Sequence, residues 1–124
     1  MNAKKGTAED VKLIFACSGA SDVGHLTDLA ARALAKDGAG KMYCLAGIGG
    51  RVEPMLAMTR SAKKIVALDG CAQACARKTL ELGGFSGFEH LKLVDLGLVK
   101  GQSPATAERV QLVAGKAAEL LKKA

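Results

Sequence analysis

The chain has 124 residues, 49% hydrophobic and 24% charged, with 3% aromatic and no Trp. This composition excludes a disordered or collagen-like chain and suits a single domain over residues 11–124, with a core of Val, Leu, Ile, Ala and Met, behind a polar, flexible segment at residues 1–10. The net charge of +6 would draw phosphates or acidic surfaces, but Lys4, Lys5, Lys12, Lys63, Lys64, Lys100, Lys122 and Lys123 are scattered and no stacking aromatics are interleaved with them, so nucleic acid is not an expected partner.

The elements read as four repeats of strand, loop and helix. KLIFA, Lys12 to Ala16, is a short apolar run ended by CSGASDVG, a loop and cap string. From His25 to Lys36 the apolar residues Leu26, Leu29, Ala30, Ala33 and Leu34 recur at helical spacing, and DGAG stops the helix at Gly38. KMYCLA, Lys41 to Ala46, is the second strand. GIGG follows it, then a short helix from Glu53 to Ala62 with Pro54 in its first turn.

KIVAL, Lys64 to Leu68, is the third strand, and Asp69 is placed to cap a helix from Cys71 to Leu82 that Gly83 and Gly84 close. LKLVDL, Leu91 to Leu96, is the fourth strand. The last helix runs from Pro104 to Lys123 with Ser103 as its cap. Alternating elements with continuously apolar strands predict an α/β open sandwich, Rossmann-like, with a four-stranded parallel sheet and helices on its faces. No run approaches the about 18 apolar residues of a membrane span. VKLIFAC is also too short and wrongly flanked for a signal-peptide core, so the expectation is a cytoplasmic protein with no membrane partner.

The four cysteines, Cys17, Cys44, Cys71 and Cys75, all fall where a strand-like run gives way to a loop or helix. In a parallel sheet such positions share the carboxyl edge, where ligands bind. Four thiolates there would suit a structural zinc ion or an iron–sulfur cluster. In a reducing compartment clustered cysteines are more often ligands or reactive groups than disulfides; an oxidising one would leave three disulfide pairings open. Small, inert buried thiols are the bland alternative. Cys71 and Cys75, four apart on a helix, would share one face at about 5 to 6 Å between Cβ atoms, and Cys71 would feel the helix dipole. Cys44 joins the other three only if the second strand ends near it.

The strings CSGASDVG, CLAGIGG, DGC with ACARKTLE, and LVDLGL, spread over Val11 to Val99, together resemble the DGC-domain family. The resemblance implies a small domain whose four cysteines are proposed zinc ligands; by it Cys17, Cys44, Cys71 and Cys75 carry over as metal ligands. Ala72 and Gln73 stand where related sequences often read Pro-Val, a departure that removes a stiff turn but no ligand. A closed site of four thiolates leaves no open position for water, so a metal-binding module rather than an enzyme is expected.

The rival is a thiol-dependent redox or oxyanion-handling enzyme. Cys71 to Arg77 has the C-x5-R spacing of cysteine phosphatases and arsenate reductases, but the intervening AQACA contains no glycine and reads as helix, which makes Arg77 a solvated helix residue beside Lys78. GIGG could cradle an anion, yet it lacks a phosphate-loop spacing and reads better as a tight turn for close packing. His25 reads as an exposed cap-region residue, His90 as a strand-leading surface residue, and Asp22 and Asp69 as helix caps.

Overall fold

The computed structural model describes residues 11–123, and the segment expected to be flexible, residues 1–10, lies outside the described residues. Four strands, β1 (Lys12–Ala16), β2 (Lys41–Met42), β3 (Lys64–Asp69) and β4 (Glu89–Lys92), form one sheet in the order β2-β1-β3-β4. All three pairings are parallel, with Leu13 opposite Lys41, Lys12 opposite Lys64 and Val66 opposite Glu89. The α/β class and the four-stranded parallel sheet are thus as the alternating pattern predicts.

Side-chain alternation along each strand explains why both faces carry helices. Ile14, Ala16, Val66 and Leu68 point to one face and join Leu26, Ala30, Val113 and Ala117 of α1 (Asp22–Lys36) and α5 (Ala107–Lys122) in one core. Leu13, Phe15 and Ala67 point to the other and pack with Ile48, Leu56, Ala76 and Leu80. Those last residues belong to α2 (Leu45–Gly49), α3 (Glu53–Ser61) and α4 (Cys75–Leu82). Strands buried on both sides have no polar face, which is why they read as unbroken apolar runs. The chain leaves β1 through α1 toward the outer strand β2, and leaves β3 through α4 toward β4 on the opposite side. The crevice between the carboxyl ends of β1 and β3 is therefore the topological switch point.

Several boundaries differ from the sequence expectation, each for a local reason. Helix α1 begins three residues early because the Ser21 hydroxyl caps it, accepting from the Gly24 amide at 3.2 Å. Strand β4 begins and ends earlier than expected, and Leu93–Leu96 forms one turn of 3-10 helix closed by Gly97 at φ 81°. Helix α5 is capped by Thr106, not Ser103. Ser103 is buried instead, and its hydroxyl accepts from the Val99 amide at 2.9 Å. GIGG lies in α2 and its Gly50 cap rather than in an open turn, though the expected close packing is present: a methyl on Gly47 would collide with the Met55 thioether.

Backbone touches backbone at the switch point. A methyl on Gly24, in the first turn of α1, would lie 2.6 Å from the Gly19 backbone nitrogen and oxygen, and one on Gly70 would lie 2.7 Å from the Val23 carbonyl carbon. Gly24→Ala is therefore expected to cost about 3 kcal/mol or more in urea unfolding, since main chain cannot swing aside. Gly47→Ala should stay within about 1 kcal/mol of the wild type, because Met55 can re-rotamer and the helix gains propensity. Equal losses in the two variants would refute the distinction.

Candidate functional site

Cys17 lies one residue past β1, where its amide donates to the Leu68 carbonyl at 3.0 Å and extends the β1–β3 pairing. Its Sγ is 3.4 Å from the hydroxyl of buried Thr27. Thr27 commits its own proton to the Gly24 carbonyl at 2.7 Å, so Cys17 is the donor in the sulfur contact. The Thr27 oxygen also receives the Ser18 amide at 3.1 Å. Ser18 sits in the left-handed region, φ 52°, and donates through its hydroxyl to Asp28 at 2.8 Å, while Asp28 accepts from Arg32 at 2.6 Å. Burial pushes the Asp28 carboxyl up, but the bonds from Arg32 and Ser18 outweigh it and hold the group below the ordinary carboxylate range.

Cys44 is exposed and occupies the N-cap position of α2, two residues beyond the end of β2. The second strand, expected over Lys41 to Ala46, ends at Met42, and Leu45 and Ala46 belong to α2 instead. Cys71 is half-buried in a turn over residues 71–74, and Cys75 is exposed as the first residue of α4. Helix α4 thus begins four residues later than expected. Cys71 and Cys75 do not share a helix face, and the helix-terminal position belongs to Cys75. The break before it is Ala74, left-handed at φ 53°. Among the described residues, two of the three non-glycine residues with positive φ, Ser18 and Ala74, are therefore neighbours of cysteines. Strain of this kind costs on the order of 1–3 kcal/mol per residue and concentrates at functional sites.

The four sulfurs share the carboxyl edge but divide between two cavities. Cys17, Cys71 and Cys75 line one of about 470 Å³ at the switch point, with Ser21, Gly70 and Lys100. Cys17 and Cys44 line a second of about 620 Å³, with Met42, Tyr43, Asp28 and Arg32. Cys17 is common to both. Among the described residues, no group of three or more His, Cys, Asp or Glu side chains is gathered closely enough to hold a metal ion. The donor set has the chemistry zinc prefers, while this arrangement does not present it as a formed site.

Asp69 and His90 form a contact that sequence reasoning missed. Asp69 is 1% exposed, and its carboxylate accepts from the Ala76 amide at 2.7 Å, the Arg77 amide at 3.0 Å and His90 Nε2 at 2.8 Å. It does cap the helix, as expected, but from five residues ahead of the N-cap position. His90 is a member of β4 with a side chain only 16% exposed, not a surface residue ahead of the strand. The alternation of EHLK beside a strand ending in Asp was the available signal. His25, by contrast, is exposed as expected. Arg77 also follows expectation: its guanidinium pairs with Glu81 at 3.1 Å. With that pair made and the Ala76 and Arg77 amides given to Asp69, the groups an oxyanion cradle would use here are already engaged.

A parallel α/β domain with thiols distributed along the carboxyl edge, and a buried aspartate ordering the turn and helix start that carry two of them, is the class these features define. The chain belongs to the DGC-domain family, whose model matches residues 13–117. It is 34% identical over 100 residues to the anaerobic and virulence modulator AnvM of Pseudomonas aeruginosa, an alignment covering 81% of this chain and 76% of that protein. No solved structure matches the chain. No helix among the described residues is long and apolar enough to cross a membrane.

Asp69→Asn should lower stability by at least about 2 kcal/mol, because an NH2 in place of Oδ2 would face two donors. Asp95→Asn, on the exposed 3-10 turn, should stay within about 0.5 kcal/mol. Similar small effects from both in thermal unfolding would remove the structural role of Asp69. Asp22 gives a pH prediction. The amides of Gly101, Ser103 and Val23 hold its carboxyl below the ordinary range against burial, which pushes it up. A depressed folded value means the tie to the 99–103 loop is complete above the ordinary aspartate range and is lost as pH falls through the folded value. Amide protection at Gly101 and Ser103 should fall in that window, and Asp22→Asn should abolish the dependence.

Proposed function

We propose that this chain is a regulatory thiol module whose working groups are the cysteines of the carboxyl edge, acting in a reducing compartment such as the cytoplasm. The observation that carries the reading is the position of Cys17, which lines one cavity together with Cys44 and another together with Cys71 and Cys75. A change at either partner set reaches the same sulfur. The relative's name, a modulator linked to anaerobic conditions, supports regulation through groups whose state depends on oxidants. In the oxidised form two thiols of the switch-point cavity join as a disulfide, giving up two protons and passing two electrons to a peroxide or a small disulfide. Strain at Ser18 and Ala74 favours this reading, since both segments are held in conformations that a bond at the neighbouring sulfur could relax.

The donor set favours a second reading, in which Cys17, Cys44, Cys71 and Cys75 bind zinc. Zinc would tie three strand ends together as a closed, non-catalytic site once the Cys44 segment and the 71–74 turn draw toward Cys17. Protein purified without oxygen separates the two readings through elemental analysis and thiol titration with and without chelator. The thiol module predicts no stoichiometric metal, four titratable thiols and, after mild oxidation, a mapped disulfide within Cys17, Cys71 and Cys75 that leaves Cys44 free. About one zinc per chain with chelator-released thiols would establish the second reading instead. Metal-free thiols that resist oxidation would sink both.

A further inference from the structure

Five of the lysines that look scattered in the sequence are gathered by the topology at the edge opposite the cysteines. Strands β1 and β3 are parallel and begin side by side, with Lys12 opposite Lys64, while α5 returns to end at the same edge. Lys12, Lys63, Lys64, Lys122 and Lys123 consequently line one cavity of about 410 Å³, together with Ser86, Gly87 and Phe88. Among the described residues no Asp or Glu lines it. Some of the charge is used internally: Lys12 Nζ donates to the Leu121 carbonyl at 2.8 Å, completing the end of α5. Glu89 is shared between Lys64 at 3.3 Å and Lys123 at 3.4 Å. Burial pushes the Glu89 carboxyl up, but the two ammonium groups hold it below the ordinary range, so it stays ionised. Among the described residues one carboxylate, Glu89, thus pairs with two of the five lysines, and Lys64 has only 17% of its side chain exposed.

We infer that this cavity binds an oligophosphate, an anion of two or more linked phosphates, free or as the tail of a nucleotide. A single carboxylate or a monovalent anion would leave most of the positive charge uncompensated, whereas linked phosphates bring several charges into one small volume. Lysine is suited to this because its ammonium is a point charge with three rotatable donors, so one internal contact does not use up its capacity. The concave shape argues against an extended polymer laid over a flat basic stripe. Gly87, at φ 74°, turns the main chain at the rim and leaves the cavity wall there without a side chain.

The probes are inorganic tripolyphosphate and ATP, titrated calorimetrically into the full chain at low ionic strength. Saturable binding is expected with both, weakening as salt is raised. Equal affinities would assign recognition to the phosphates, and tighter ATP binding would add the nucleoside to the site. The double variant Lys63→Glu, Lys122→Glu, with both positions exposed, should bind at least about tenfold more weakly. Lys36→Glu and Lys78→Glu, exposed on α1 and α4, should bind as the wild type does. A variant with all four cysteines changed to serine should also keep full affinity, which separates this site from the thiol edge. Absence of binding by both probes would overturn the inference, as would affinity unchanged by the Lys63 and Lys122 reversals.

Discussion

The carboxylate of Asp69 orders the functional end of this domain. A charge with 1% exposure is costly to bury and is tolerated only when its lone pairs are met by donors. Here the donors come from two directions, the first-turn amides of α4 and the imidazole of β4. The helix cannot start earlier without withdrawing those amides, so the residues between Gly70 and Ala74 are left as a turn. That turn is what carries Cys71 and delivers Cys75. The placement of two thiols therefore follows from an electrostatic requirement two residues upstream of the first.

Much of the architecture was legible because it depends on periodicity. Four apolar runs separated by helical spacing lead to a parallel sheet, and β1 and α3 fall within one residue of their expected bounds. What escaped depends on contacts between residues distant in sequence. Asp69 looks like a local cap, and nothing within DGCAQACA shows that its partners are Ala76, Arg77 and a histidine on the next strand. Ser103 beside Pro104 has the form of a helix start, but its hydroxyl is taken by Val99, which passes the role to Thr106. Of the site, the shared edge of Cys17, Cys44, Cys71 and Cys75 was readable from strand ends. Its division into two cavities was not, since it depends on how α1 and α2 lean on the sheet.

A parallel sheet also sorts chemistry by polarity. Strand ends carry the four cysteines, and strand starts carry a cluster of five lysines. The two groups lie at opposite ends of the strands, while Lys100, which lines the switch-point cavity, stands with the thiols. The even spread of charge along the sequence conceals this separation, because residues that alternate in order become segregated once every strand points the same way.

The glycine contacts at the switch point bear on how the edge behaves as a unit. Gly19, behind Cys17, rests on Gly24, and Gly70, ahead of Cys71, rests on Val23. Both cysteine-bearing segments thus abut the same turn of α1, main chain against main chain, with no flexible side chain between to absorb movement. Interiors packed this closely transmit displacement instead of damping it. A shift of one segment is passed through α1 to the other, so the two thiol loops are mechanically linked with no bond between them.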